Sequence, residues 1–129
     1  MIKLAHPGKR FQGQFIDGLI VVLLFGICIT IKIISQAEGT TIDLAIIAIP
    51  SAYYLFCDAL PNGQSIAKRC LNIAVVHRDT LQDCNLWQSF IRNAITPILG
   101  LLDAMLILTQ ERRRVGDYLA KTIVVERDY

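Results

Sequence analysis

Apolar and polar positions fall in long blocks along this chain. After a polar opening, MIKLAHPGKRFQGQ, the run FIDGLIVVLLFGICITIKII covers residues 15–34. As a helix, a run of that length reaches about 30 Å, the thickness of a bilayer's hydrocarbon core. Asp17 enters near its start, and Lys32 lies near its far end, where a long side chain reaches the interface. SQAEGTT (35–41) is a polar turn, and IDLAIIAIPSAYYLFCDAL (42–60) is a second apolar run with Pro50 in its middle. Membrane helices tolerate such a proline when neighbours satisfy the carbonyl it frees. The pattern predicts two transmembrane helices, over 15–34 and 42–60.

The later blocks are shorter. Residues 61–85 form a loop that carries Lys68 and Arg69, then the β-branched LNIAVVHRD (71–79), which reads as a strand. LWQSFIRNA (86–94) sets Leu86, Phe90 and Ala94 four apart, with Trp87 and Ile91 alongside. That spacing predicts an amphipathic helix entering the interface, with Trp87 as an anchor. A third apolar run, AITPILGLLDAMLILT (94–109), contains Pro97, Gly100 and Asp103. The basic tail 111–129 ends in KTIVVERD (121–128), a second strand. VVHRD (75–79) and VVERD (124–128) match at four of five positions, and two short strands of like composition are natural partners. If they pair, both lie on one side of the membrane.

Charge decides between topologies. Lys3, Lys9 and Arg10 place the N-terminus in the cytoplasm by the positive-inside rule, and Lys68, Arg69, Arg78 and Arg92 place the loop after the second helix there too. A full crossing by 94–109 then carries Arg112, Arg113 and Arg114 outside, against the rule. That run is short for a span, and Pro97 and Gly100 bend it. The favoured arrangement is a re-entrant or tilted third segment, with a transmembrane third segment as the alternative. The expected fold is an α-helical integral membrane protein: one domain over 1–129, two transmembrane helices, the third segment within 86–110, and a small cytoplasmic β element. Gly18, Gly26 and Gly100 are candidate close-packing points.

Composition agrees. The chain has 129 residues, of which 53% are hydrophobic, against about 45–50% in soluble domains. A net charge of +2 is too small for a nucleic-acid binder. The four cysteines form no CxxC pair and there are two histidines, so no zinc spacing exists and neither metal nor cofactor is expected. Cys28 and Cys57 read as small hydrophobes within apolar runs. The first apolar run is longer than a signal-peptide core, and no cleavable signal is expected. No nucleophile–base motif, phosphate loop or HExxH is present, so the chain is not expected to be an enzyme.

Four strings stand in a recognisable order: KRFQGQFIDGLI, GQSIAKRCLNIAVV, RNAITPILGLLDAM and RVGDYLAKTIVV. This order resembles the RDD family of small prokaryotic membrane proteins, named for one arginine and two aspartates. The resemblance places the arginine on Arg10, the first aspartate on Asp17 and the other on Asp117. Gly63, Ser65 and Lys68 resemble the family's G-x-T-x-G-K stretch, with Ala67 where a glycine is usual, and Lys121 stands where a small residue is common. The resemblance implies a prokaryotic plasma or inner membrane. It also implies a function that is broadly defined at best: transport has been proposed, and some members resemble sodium/proton antiporters in activity.

Arg10 and Asp17 share a face of the first helix if it extends back that far, roughly 10 Å apart along the axis. The tail then offers Asp117 to Arg10 and Arg114 to Asp17. Two readings follow: the pairs staple the tail to the first helix, or Asp17 takes up a proton or cation, with Asp103 as a deeper second site. Asp58 reads as interfacial. Lys68, Arg69, Arg112 and Arg113 are candidates for contact with lipid headgroups. The expected function is proton-coupled cation or small-solute transport by a homo-oligomer. The alternative is a non-catalytic accessory or assembly subunit that binds a larger membrane protein or membrane lipid.

Overall fold

The computed structural model describes residues 2–100, 102, 105–108 and 113–127. Helix α1 spans Pro7–Ser35 and so starts well before the apolar run does. His6 explains the early start: its Nδ1 accepts from the Gly8 N–H at 3.0 Å, and Pro7 takes a first-turn position that needs no donor. The 29 residues of α1 extend about 43 Å, so its first turns stand outside a hydrocarbon core of about 30 Å. Its buried residues, Arg10, Gly13 and Asp17, form one stripe at the N-terminal end. Farther along, Leu19, Val22, Leu23, Ile27 and Ile31 are exposed. Helix α2, Thr40–Phe56, runs back beside it, and Lys32 pairs with Asp43 at the far end. Pro7–Ser35 and the stretch Thr40–Ala59 are both long and apolar enough to cross a membrane.

After α2 come two 3₁₀ turns, Cys57–Ala59 and Pro61–Gly63, and the short helix α3, Ile66–Cys70. Part of the expected loop is therefore helical, because Ser65 caps α3 by accepting from the Lys68 N–H at 3.2 Å. Strand β1, Ile73–His77, pairs antiparallel with strand β2, Thr122–Glu126, with Val75 opposite Val124. Ala5 and Cys84 pack with Ile73, Val75 and Val124 on one face, and Leu4 packs with Ala74, Val76, Ile123 and Val125 on the other. Burial on both faces is why the strands read as unbroken apolar runs. The edges are covered too: Ala5 N–H donates to Val124 O at 3.0 Å, and Cys84 N–H donates to Val75 O at 3.1 Å.

Helix α4, Leu86–Leu99, begins at a capping box of Asn85 and Gln88 and continues past the expected end, through Pro97, to Gly100 at φ 52°. It buries its polar stripe, Gln88, Ser89, Arg92 and Asn93, and leaves Leu86, Trp87 and Ile98 exposed. That is the reverse of a helix on a soluble protein, and it is the arrangement lipid demands. Helix α5, Val115–Ala120, packs on α4 through Gly116, where a Cβ would stand 2.5 Å from Arg92 O. Gly18, Gly26 and Gly100, the expected packing points, meet none of the described residues within 4 Å where a Cβ would be, and the close approaches among those residues occur elsewhere. Arg114 Nη1 donates to Thr96 Oγ1 at 3.2 Å, which ties the residue before α5 to the last turn of α4.

Lys121 ends α5 in the left-handed conformation at φ 56°, with its side chain exposed. A non-glycine residue is strained there, while glycine costs more entropy in the unfolded chain. Lys121→Gly is expected to stabilise the protein by up to about 1 kcal/mol. Denaturant titration in detergent checks this, and a lowered midpoint refutes it.

Candidate functional site

The first turns of α1, the middle of α4, and α3 and α5 converge with the turn after α2, and charged side chains fill the space between them. Arg10 Nη2 lies 2.6 Å from Asp117 Oδ2. Arg92 pairs with Asp117 and also with Asp58, its Nε standing 3.3 Å from Asp58 Oδ2. Lys68 Nζ lies 2.6 Å from Asp58 Oδ1 and 3.5 Å from Asp17 Oδ2. The sequence Arg10, Asp117, Arg92, Asp58, Lys68, Asp17 therefore alternates in sign along a continuous chain of contacts. None of the six is more than 9% exposed.

Neutral groups complete the lining. Tyr53 Oη donates to Asp17 Oδ1 at 2.9 Å, and Ser65 Oγ donates to Asp17 Oδ2 at 2.6 Å. Asn93 Nδ2 reaches Asp58 Oδ2 at 3.4 Å, and Arg92 Nη1 donates to Thr122 Oγ1 at 2.9 Å. At the start of α5, the Arg114 N–H donates to Asp117 Oδ2 at 3.0 Å. Arg113 donates to the Thr122 and Asp117 carbonyls and lies over the Tyr118 ring, 4.2 Å from its centre.

Asp117 and Lys68 are held charged by their neighbours. Burial alone would push the Asp117 carboxyl up, but Arg92, Arg10 and Arg114 outweigh it and hold it well below the usual carboxylate range. Burial opposes the charge on Lys68, and the nearby Asp58 carboxylate reverses that, so its pKa is raised. Beside the network lies a cavity of about 30 Å³ whose wall includes Arg10, Gln14, Asp17, Lys68, Arg92 and Arg114. Among the described residues, no group of three or more His, Cys, Asp or Glu side chains is placed to hold a metal ion.

The structure brings Arg10 and Asp117 together as the sequence predicts. It does not bring Arg114 to Asp17. Arg114 Nη1 instead donates to Gln14 Oε1 at 3.1 Å and to Thr96, and the cation beside Asp17 is Lys68. The reason is level along α1: Asp117 and its flanking arginines meet the helix near Arg10, whereas α3 delivers Ser65 and Lys68 near Asp17. Lys68 and Arg113, expected at lipid headgroups, are buried in the protein, while Arg69 is exposed. Asp103 and Arg112 lie outside the described residues.

Asp58 and Arg92 are the central links, and sequence reasoning left both at the periphery. A signal existed for Arg92. Gln88, Ser89, Arg92 and Asn93 form a polar stripe as narrow as the apolar one on the same helix, and beside lipid the polar stripe turns inward. No curated protein and no solved structure matches the chain significantly. The family model described as RDD family matches residues 4–121, a span that includes the whole ionic chain from Arg10 to Asp117, and the protein belongs to the RDD family.

Proposed function

We propose that this RDD protein is a non-catalytic accessory subunit of a prokaryotic plasma membrane, whose lipid-facing helices dock on a larger membrane protein. The supporting observation is where the charges lie. Asp17, Asp58 and Asp117, the buried carboxylates among the described residues, sit at one end of the spans, and each is paired with a lysine or arginine. Residues 18–31 of α1 and 44–56 of α2 carry no charged side chain. A carrier needs groups that take up and release its cargo along the path, and ion-paired carboxylates at one end are poorly suited to that. Lys9, Arg10, α3, Arg113 and Arg114 share this end, which the positive-inside rule assigns to the cytoplasm. The Thr96–Arg114 bond favours a third segment that does not cross, which keeps Arg113 and Arg114 with the other cations.

The second reading is proton-coupled cation or small-solute transport by a homo-oligomer. Asp17 favours it, because it borders the cavity and holds the Tyr53 hydroxyl, a group able to relay a proton. Liposome flux separates the two. Purified wild type is expected to carry no cation-driven proton flux and to co-purify from its native membrane with one larger membrane protein. Flux in the wild type, lost in a folded Asp17→Asn variant, overturns the accessory reading in favour of transport.

A further inference from the structure

We propose that the cavity beside the ionic chain binds a phosphate-type oxyanion, carried by a lipid headgroup or free in the aqueous phase. The cavity wall and the ionic chain differ in composition. Asp58 and Asp117, which tie the network together, do not line the cavity. Arg10, Lys68, Arg92 and Arg114 do, with Asp17 as the one carboxylate of the wall among the described residues. Guanidinium forks and an ammonium group form the donor set that matches phosphate oxygens. Arg10, Lys68, Arg92 and Arg114 are each at least nine-tenths buried, so an anion there meets them with little competition from water.

Size and depth narrow the ligand. A cavity of about 30 Å³ holds roughly two waters, which suits the oxygens of a phosphoryl group and excludes a base or a sugar. Arg10, Gln14 and Asp17 bring the cavity to the start of the apolar run at Phe15. In a bilayer that level is where headgroup phosphates lie. The inference does not depend on the accessory role, because a carrier would hold the same anion.

The test uses the full chain in an uncharged detergent. Thermal unfolding is followed with inorganic phosphate against chloride at matched ionic strength, and then in phosphatidylcholine bilayers with and without phosphatidic acid. Binding to the native state is expected to raise Tm by roughly 5 °C at about ten times Kd. A response to inorganic phosphate assigns the site to a soluble anion, and a response to phosphatidic acid alone assigns it to a lipid. Gln14→Glu places a carboxylate in the wall at nearly constant shape, so it is expected to raise Tm without ligand and to abolish the phosphate response. Asp17→Asn removes the wall's carboxylate and is expected to tighten phosphate binding several-fold, which keeps the test sharp if Gln14→Glu does not fold. Absence of any response to both phosphates, a response that persists in Gln14→Glu, or weaker binding in Asp17→Asn overturns the proposal. Partner co-purification and flux are read separately, so this proposal and the accessory role fail independently.

Discussion

Asp117→Ala is expected to destabilise the protein by about 3–5 kcal/mol, the range for breaking a buried ion pair from one side. Asp117 is fully buried and receives Arg10, Arg92 and the Arg114 N–H. Alanine leaves two guanidiniums inside the protein short of their carboxylate and removes the acceptor at the start of α5. The same residue sets an acid limit. Its carboxyl titrates well below the ordinary value of about 3.9, so its stabilisation is complete above that value and is lost as pH falls toward the folded pKa. Denaturant titrations at neutral pH and across the range below about pH 4 test both statements, 3.9 being the unfolded reference. A loss under about 1 kcal/mol at neutral pH, the size of a surface pair, would remove Asp117 from the centre of the fold. The acid limb is expected to flatten in the variant.

Gly63→Ala is expected to cost at least about 3 kcal/mol, combining a left-handed backbone with overpacking. Gly63 has φ +64°, and a Cβ there would stand 2.2 Å from Val75 O and 3.3 Å from Cys84 N, both backbone atoms that no rotamer change can move. The turn would have to leave β1, taking with it Gln64, which donates to Ile73 O at 3.0 Å, and then Ser65 and Lys68. Damage should therefore appear at Asp17 and Asp58 as well as in the sheet. Gly63→Asn separates the two causes. Asparagine tolerates the left-handed region, so near-wild-type stability in that variant would mean that conformation alone requires the glycine. Equal loss in both, read from unfolding midpoints and from yield after membrane extraction, is the expected outcome.

Gly63 also shows what kind of information the chain carries openly. Its place in GQSIAK is visible as a motif, yet the carbonyl that excludes a side chain belongs to β1, on another segment. Ala67 occupies the motif's usual glycine position and is fully buried without difficulty, so the tight approach of this turn falls on Gly63. Arg10 and Asp117 were legible as a pair because the family resemblance singled out both and charge put the tail on the side of Arg10; the β1–β2 pairing then brings α5 back to the start of α1. Asp58 was not legible. Its position at the end of an apolar run is equally that of an interfacial acid, and only the arrival of Lys68 and Arg92 from two other helices makes it buried.

The sequence by itself determined the two membrane-length helices and the amphipathic α4 and offered the two Val-rich strands as partners, because each depends on transfer free energy and strand propensity that a local pattern records; the antiparallel register, with Val75 opposite Val124, came from the structure. Only the tertiary structure decided which cation meets which carboxylate. Partner choice follows from the level at which each element meets α1, a distance along a helix axis that no local pattern contains. The direction of α4's polar stripe was decided the same way. An amphipathic pattern fixes two faces, but which face turns inward depends on whether water or lipid lies outside, and here the buried Arg92 and the exposed Leu86 and Trp87 correspond to lipid.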